Sequence, residues 1–224
     1  MTNHQKPFVK PFAIFDLDGT LIDSMPYWEK LAPEYLKKQG ITGDLQGIVS
    51  DIETMTLSES ADFFVRRFQL NETAKKAEAD MLTMMADHYR YDIPLKPGMR
   101  DLLRTLTVCG VAMCVVSVTQ ETLMNACLKR LDISDMFKFT LSCETYHTHK
   151  RDPWIYLKAS EMLGAKPTEI AVYEDTFHAL KTAKNAGFYT VAVYDYSSEK
   201  KWHDMICLAD GRIKNTDDQE RDER

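Results

Sequence analysis

Three short apolar runs constrain the fold of this chain more than any other feature of its sequence. They occupy residues 12–15, 111–116 and 170–173, and each is bounded by turn or acidic residues. Runs that are apolar throughout, without polar alternation, are typical of strands buried on both faces of a parallel sheet. Two further runs, 139–141 and 190–193, resemble them. The pattern predicts a parallel sheet that contains these five strands.

Single helical segments separate most of these runs, and their ends carry matching signals. Asp152 is a good N-cap before Pro153, and Gly110, Gly164 and Gly187 stand where a left-handed residue ends a helix. The predicted helices are 99–109, 120–131, 153–163 and 177–186. Strands that alternate with single helices imply right-handed crossovers, so we predict an α/β fold with a doubly wound parallel sheet.

The stretch 22–95 breaks this alternation. It contains three amphipathic segments, the last with Asn71 as its predicted N-cap, and no run typical of a buried strand. The segments are 28–39, 57–69 and 72–91. We therefore predict a small all-helical domain inserted after the first strand, above the carboxyl edge of the sheet, where ligands bind in open α/β folds.

These boundaries divide the chain into three parts. The predicted α/β core comprises residues 1–21 and 96–214, and the predicted helical insertion comprises 22–95. Residues 215–224 are nearly all charged or polar, so we expect a frayed tail.

Composition excludes several classes of protein. Hydrophobic residues make up 44% and charged residues 28%, as in an ordinary globular protein, and the formal charge of −6 without basic clusters argues against a nucleic-acid partner. The longest apolar run, 111–118, is too short to span a membrane, and residues 1–12 hold no apolar stretch of signal-peptide length. The five cysteines lack metal or redox spacing. We expect a cytoplasmic protein with reduced thiols, no membrane partner, and a monomeric or homodimeric state.

The string from Asp16 to Ser24, directly after the first apolar run, carries the clearest chemical signal. Asp16 and Asp18 can converge on one point if the chain turns, and Gly19 with Thr20 permits a turn. Two carboxylates at close range repel each other unless a cation lies between them, and hard divalent cations prefer oxygen ligands. The alternative is an acidic turn in which an aspartate caps the next segment.

Further polar residues follow the ends of other predicted strands. Glu174 and Asp175 follow one run and would complete an oxygen site for magnesium, although such pairs also cap helices. Ser117 closes another run at a strand-to-helix junction, which suits anion binding. Lys150, just before a predicted helix, could neutralise a bound phosphate, although a single loop lysine is usually only solvated.

Taken in order along the chain, these signals resemble the haloacid dehalogenase superfamily, in particular its phosphoglycolate phosphatase and β-phosphoglucomutase-like branch. Residues 16–21 resemble the first motif of the family and Ser117 the second. Lys150 with Pro153 resembles the third motif, and residues 174–176 with 186–187 resemble the fourth. Residues 95–98, Leu-Lys-Pro-Gly, resemble the return from a helical cap inserted after the first motif. The resemblance covers nearly the whole chain.

The resemblance implies a magnesium-dependent phosphatase of a small phosphorylated metabolite. Asp16 would be the nucleophile that forms an aspartyl-phosphate, and Asp18 the acid and then the base. Ser117 and Lys150 would contact the phosphate. Leu17, Asp18 and Val118 are also assigned to phosphate binding. The predicted metal site comprises Asp16, Asp18, Glu174 and Asp175. Asp18 would bind the ion through its backbone carbonyl, and Glu174 would bind it directly or through an intervening group. In the cap, the predicted substrate contacts are Trp28, Thr54 and Met55.

Two departures from the family pattern affect loop shape rather than reactive groups. The third motif reads Lys-Arg-Asp-Pro-Trp from Lys150 to Trp154 where the branch usually has Lys-Pro-x-Pro-Asp, and Ala179 replaces a usual glycine.

Asp18 argues against a dehalogenase, and no lysine of the cap lies in a setting typical of a phosphonate hydrolase. A mutase of the β-phosphoglucomutase type remains open, although 25–28 and 52–56 lack its usual histidine and arginine. A non-catalytic protein that binds a phosphorylated metabolite also remains open.

Overall fold

The structure is a computed structural model that describes residues 10–43, 45, 47–48, 52, 55 and 57–214. Its central feature is a six-stranded parallel sheet in the order β3-β2-β1-β4-β5-β6. The strands are β1 (Phe12–Phe15), β2 (Ala112–Ser117), β3 (Phe137–Ser142), β4 (Ile170–Glu174), β5 (Tyr189–Val193) and β6 (Gly211–Ile213). The order runs outward in both directions from β1, which confirms the predicted doubly wound α/β fold.

Eight α-helices lie in the part of the chain that the structure describes. They are α1 (Met25–Lys38), α2 (Leu57–Phe68), α3 (Ala74–Tyr91), α4 (Met99–Val108), α5 (Glu121–Arg130), α6 (Trp154–Leu163), α7 (Phe177–Asn185) and α8 (Glu199–Leu208). None of them is long and apolar enough to cross a membrane.

The chain divides into two compact units, residues 1–23 with 94–224, and residues 24–93. The first unit contains all six strands and helices α4 to α8. The second unit contains α1, α2 and α3, and its described residues form no strand. The predicted tail, 215–224, lies outside the described residues.

The two ends of the segment between β1 and β2 are hydrogen-bonded to each other. The amide of Asp23 donates to the carbonyl of Pro94 at 2.9 Å, and the amide of Lys96 donates to the carbonyl of Leu21 at 2.9 Å. Ile22 and Leu95 form an antiparallel bridge between these bonds. The chain therefore leaves and re-enters the sheet-containing unit through a short two-stranded connection.

The apolar core of this unit lies between the sheet and the helices on its faces. Ile14, Val116 and Val172, from three neighbouring strands, pack against Ile155 and Tyr156 of α6, and all five are fully buried. Burial on both faces explains why these strands are apolar throughout. The five cysteines are free thiols, and Cys114, Cys127 and Cys143 are buried.

The structure corrects the predicted start of α3. The helix begins at Ala74 and not at residue 72, and its N-cap is Thr73, whose hydroxyl accepts a hydrogen bond from the amide of Lys76 at 3.2 Å. The predicted cap, Asn71, lies three positions before Ala74, the first residue of the helix. Asparagine and threonine both favour N-cap positions, so the sequence alone does not distinguish them.

Candidate active site

The topology of the sheet brings the ends of three strands together. In the central strand β1, Phe15 pairs with Val115 of β2 and with Tyr173 of β4. Asp16 follows Phe15 directly, and Ser117 and Glu174 are the last residues of β2 and β4. Because the strands are parallel, their carboxyl ends meet at one edge of the sheet.

Three carboxylates form a compact cluster at this edge. Asp16, Glu174 and Asp175 each place one oxygen within 4.8 Å of the others. Their side chains are almost completely buried, with 6%, 1% and 2% of the residue surface exposed. Oxygen ligands at this spacing suit a hard divalent cation.

Lys150 contacts this cluster through its ammonium group. Its ammonium forms an ion pair with Asp16 Oδ1 and another with Glu174 Oε1, the latter at 2.7 Å. Burial alone would lower the pKa of Lys150, but the two carboxylates outweigh burial and raise it. Lys150 is therefore a permanent positive charge beside two buried acids.

One ammonium does not neutralise three buried carboxylates. Burial, together with repulsion from Glu174 and Asp18, raises the pKa of Asp16 to about 7 in spite of Lys150. Burial also raises the pKa of Glu174, and burial with the charge of Asp16 raises the pKa of Asp175 well above its ordinary value. In addition, Glu174 Oε2 is buried with no hydrogen-bond partner among the described residues. The missing positive charge and the unpaired oxygen fit a bound metal ion.

Asp18 lies outside this carboxylate cluster and is held by hydroxyl groups. Thr119 Oγ1 donates to Asp18 Oδ2 at 2.5 Å, and Ser117 Oγ approaches the same oxygen at 3.5 Å. The Thr119 amide donates to Ser117 Oγ at 3.1 Å and so orders the hydroxyl. Asp18 is therefore fixed beside the residue that the sequence analysis assigned to phosphate binding.

The turn after Asp18 approaches Asp175 closely. Gly19 has φ +71°, and a Cβ atom at this position would lie 2.2 Å from Asp175 Oδ2. Thr20 Oγ1 donates to Asp175 Oδ1 at 3.3 Å. The glycine is thus required both for its backbone conformation and for the space that the carboxylate occupies.

Other predicted site residues have different settings. The Leu17 side chain is fully buried, whereas Val118 is exposed. In the 24–93 unit, Trp28 and Met55 line a shared apolar cavity of about 210 Å³ with Phe64 and other residues. Thr54 lies outside the described residues. The structure thus brings two of the three predicted substrate contacts to one cavity.

Tyr156 and Thr20 contact the carboxylate cluster without having been predicted as site residues. Tyr156 of α6 donates from its hydroxyl to Glu174 Oε1 at 2.6 Å, and Thr20 was interpreted only as a turn residue although it contacts Asp175. Tyr156 lies six positions after Lys150, in the first turn of a helix with an apolar inner face. A tyrosine in that position predicts core packing, and no local signal distinguishes the polar contact of its hydroxyl.

Comparison with known proteins identifies the family. The sequence model of the haloacid dehalogenase-like hydrolases matches residues 13–193, which include the carboxylate cluster, Lys150 and Ser117. The chain belongs to this family. The resemblance deduced from the motifs is therefore confirmed.

Two relatives support the same assignment, and a solved structure has a similar fold. The chain is 24% identical over 182 residues to hexitol phosphatase B of Escherichia coli K12, covering 81% of this chain and 82% of that protein. It is 27% identical over 188 residues to a phosphorylated carbohydrates phosphatase of Thermotoga maritima, covering 78% and 80% of the two chains. The crystal structure of a candidate β-phosphoglucomutase from Thermotoga maritima superposes with a TM-score of 0.81 at 20% identity, covering 92% and 94%. That structure therefore shares the fold of this chain.

Proposed function

We propose that this protein is a magnesium-dependent phosphatase that hydrolyses a small phosphorylated metabolite through an aspartyl-phosphate on Asp16. The observation that carries the proposal is the juxtaposition of Asp16, the neighbouring acids Glu174 and Asp175, and the ammonium of Lys150. A nucleophile, a cation site and a permanent positive charge meet at one edge of the sheet. Phosphatase names among the relatives support the reaction class.

Asp16 and Asp18 divide the covalent and proton-transfer work. A carboxylate oxygen of Asp16 attacks phosphorus, the bond from phosphorus to the leaving oxygen breaks, and Asp18 donates a proton to that oxygen. Asp18 then removes a proton from water, which attacks phosphorus and releases inorganic phosphate from Asp16. Thr119 holds Asp18 Oδ2 through a hydrogen bond at 2.5 Å, and Ser117 Oγ lies 3.5 Å from the same oxygen.

The remaining site residues position and neutralise the phosphate. Ser117 donates a hydrogen bond to a phosphoryl oxygen, and Lys150 balances the charge that develops during transfer. The backbone amides of Leu17, Asp18 and Val118 supply further donors at the ends of β1 and β2.

Magnesium fits the oxygen-rich cluster. Asp16 and Asp175 would hold it through their side chains, Asp18 through its backbone carbonyl, and Glu174 directly or through a further group. When bound, the ion supplies positive charge that lets a phosphate dianion approach an anionic nucleophile. The pKa values raised by burial and by neighbouring acids indicate that this charge is needed.

Phosphorylated sugars and polyols are the first substrates to test, because two relatives are named hexitol phosphatase B and phosphorylated carbohydrates phosphatase. Phosphoglycolate is a further candidate from the motif resemblance. We also propose that residues 22–95 act as the cap and that Trp28, Thr54 and Met55 contact the substrate. The cytoplasmic location and the monomeric or homodimeric state remain predictions of the sequence.

A phosphate-release assay tests the proposal. Wild-type protein is incubated with a panel of phosphorylated metabolites, with magnesium or with EDTA, beside the variants Asp16→Asn and Asp101→Asn. We expect release from one substrate class with magnesium only. Asp16→Asn is expected to lose turnover, and not merely to raise KM, because the nucleophile is gone. Asp101 is exposed on α4, so Asp101→Asn controls for the same chemical change away from the site.

Two results would contradict the proposal. Phosphate release that persists in Asp16→Asn would exclude this residue as the nucleophile. No release from any compound by folded, magnesium-loaded protein would exclude a general phosphatase, and interconversion of sugar phosphates in the same samples would then identify a mutase.

A further inference from the structure

Glu174 has an asymmetric environment in which, among the described residues, one oxygen receives two hydrogen bonds and the other receives none. Lys150 Nζ and the Tyr156 hydroxyl both donate to Oε1, at 2.7 Å and 2.6 Å. Oε2 is buried and has no hydrogen-bond partner among the described residues. Since a buried, unpaired carboxylate oxygen is costly, this asymmetry calls for a ligand at Oε2.

Two donors on one oxygen also fix the orientation of the carboxylate. A single donor allows the group to rotate about its terminal bond, a torsion that is broad for glutamate. Lys150 and Tyr156 approach from different elements, the loop before α6 and α6 itself, so rotation would break at least one bond. Together they hold Oε1 in place and leave Oε2 available to a cation.

Tyr156 is better suited to this task than Lys150. The Lys150 ammonium is shared with Asp16, whose charge changes when it attacks phosphorus, whereas the recorded bond of the Tyr156 hydroxyl is to Glu174. The tyrosine ring is fully buried in the core and lies against the ring of Phe188, with the centroids 6.2 Å apart. Core packing thus keeps the hydroxyl in position throughout the reaction.

We propose that Tyr156 is a positioning residue that sets the metal affinity of the site by orienting Glu174 so that Oε2 faces the ion. The inference rests on the proposed function, because it requires the carboxylate cluster to bind magnesium. It goes beyond that function in naming a residue that touches neither substrate nor ion. It also explains a tyrosine hydroxyl in a core position that phenylalanine could otherwise occupy.

The test is magnesium binding by Tyr156→Phe, measured by titration calorimetry in phosphate-free buffer without substrate. The variant keeps the buried ring and removes only the hydroxyl, so we expect a folded protein whose affinity for Mg²⁺ is reduced about 10- to 100-fold, the usual effect of losing an outer partner of a metal ligand. Thermal unfolding in EDTA checks that the variant is folded.

Tyr35→Phe is the matched control. Tyr35 is also a buried tyrosine whose hydroxyl donates to a glutamate, Glu72, but it belongs to the 24–93 unit. Its removal costs the same type of hydrogen bond, and we expect wild-type affinity for Mg²⁺. Comparison of the two variants separates a specific effect on metal binding from a general loss of stability.

A double-mutant cycle tests whether Tyr156 acts through Glu174. In Glu174→Gln, affinity for Mg²⁺ falls, and the added change Tyr156→Phe is expected to have no further effect. A further loss in the double variant, or wild-type affinity in Tyr156→Phe alone, would overturn this inference and leave the proposed function standing. Absence of Mg²⁺ binding by the wild type would overturn both.

Discussion

Gly19 illustrates how a single residue can govern the carboxylate cluster without any reactive group. It adopts a left-handed conformation, φ +71°. A methyl group on its α-carbon would overlap Asp175 Oδ2. The turn that it forms places Asp18 on one side, bonded to Thr119, and Thr20 on the other, bonded to Asp175. The geometry of both halves of the site therefore depends on the missing side chain.

Gly19→Ala is expected to abolish magnesium binding and phosphate release. The added Cβ would lie 2.2 Å from Asp175 Oδ2, so the carboxylate must move out of the cluster. The left-handed backbone also costs alanine about 1–2 kcal/mol. Calorimetric titration with Mg²⁺ and denaturant unfolding measure the two effects separately.

Gly110→Ala is the control for backbone strain alone. Gly110 has φ +77° but nothing within 4 Å of its would-be Cβ. It should lose a similar amount of stability and retain wild-type metal affinity. Equal metal affinity in both variants would show that the contact with Asp175 is unimportant.

At the residue scale, the sequence predicted the carboxylates that stand at the ends of strands. Asp16 and Asp18 are separated by one residue, and the Glu174–Asp175 pair follows a strand, so strand ends alone located them. Tyr156 and Thr20 contact the cluster only through the packing of α6 and the path of the turn. These contacts depend on tertiary packing, and the hydrophobic pattern of the sequence does not predict them.

At the scale of elements, Asp210 ties together three segments at the far edge of the sheet. Its Oδ2 accepts hydrogen bonds from the amide and hydroxyl of Thr190, in β5, at 2.9 and 3.2 Å, and its Oδ1 pairs with Lys184, in α7. Burial alone would raise the pKa of Asp210, but these donors outweigh burial and lower it below 3.8. The residue thus secures the entry to the three-residue strand β6.

Asp210→Asn is expected to lower the free energy of unfolding at neutral pH by about 1–3 kcal/mol, because charge-assisted hydrogen bonds are lost. The folded-state pKa lies below the unfolded value, so this stabilisation is present above pH 3.8 and lost as pH falls through the folded-state pKa. The difference between wild type and variant should therefore be largest at neutral pH and narrow as the pH falls below the ordinary pKa of an aspartate. Urea unfolding across this range measures it.

Asp204→Asn provides the comparison, since Asp204 pairs with Lys201 on an exposed surface. Exposed pairs contribute little to stability, so this variant should resemble the wild type at each pH. A pH-independent difference for Asp210→Asn would show that its charge does not contribute.

Element prediction was successful where burial was strong and failed where it was weak. The five predicted strands lie in the interior of the sheet or have several buried residues, so they are apolar in sequence. Strand β6 has one buried residue, Ile213, and helix α8 likewise has one, Met205. Strand β6 is too short to show a period, so tertiary contacts define it. Helix α8, with its C-cap, carries apolar residues at positions 202, 205, 206 and 209, a helical spacing that was not used in the prediction.

At the scale of the whole molecule, the balance of buried charge links folding to metal binding. The cluster at the carboxyl edge holds three acids and one lysine in the interior of the sheet-containing unit. In the absence of a cation this excess negative charge opposes folding, and a bound cation offsets it. Global stability should therefore report occupancy of the site.

Magnesium is expected to stabilise the wild type by about 2.7 kcal/mol at a concentration 100 times its Kd. Asp175→Asn should show no such stabilisation, yet its metal-free form should be no less stable than metal-free wild type, because one of three repelling carboxylates has been removed. Thermal unfolding with Mg²⁺ and with EDTA tests both statements. Equal stabilisation of the two proteins by Mg²⁺ would place the ion elsewhere.

The hydrogen-bonded connection between Leu21–Asp23 and Pro94–Lys96 has a consequence for how this architecture can vary. These hydrogen bonds join the two ends of the inserted segment, so the segment forms a closed loop outside the sheet. Doubling the length of this loop would add only about 0.6 kcal/mol to the entropic cost of closing it. Lys96 strengthens the closure by donating to the carbonyls of Gly19 and Tyr194. Recombination at this connection could therefore replace the inserted segment with another and leave the positions of the carboxylates and Lys150 unchanged.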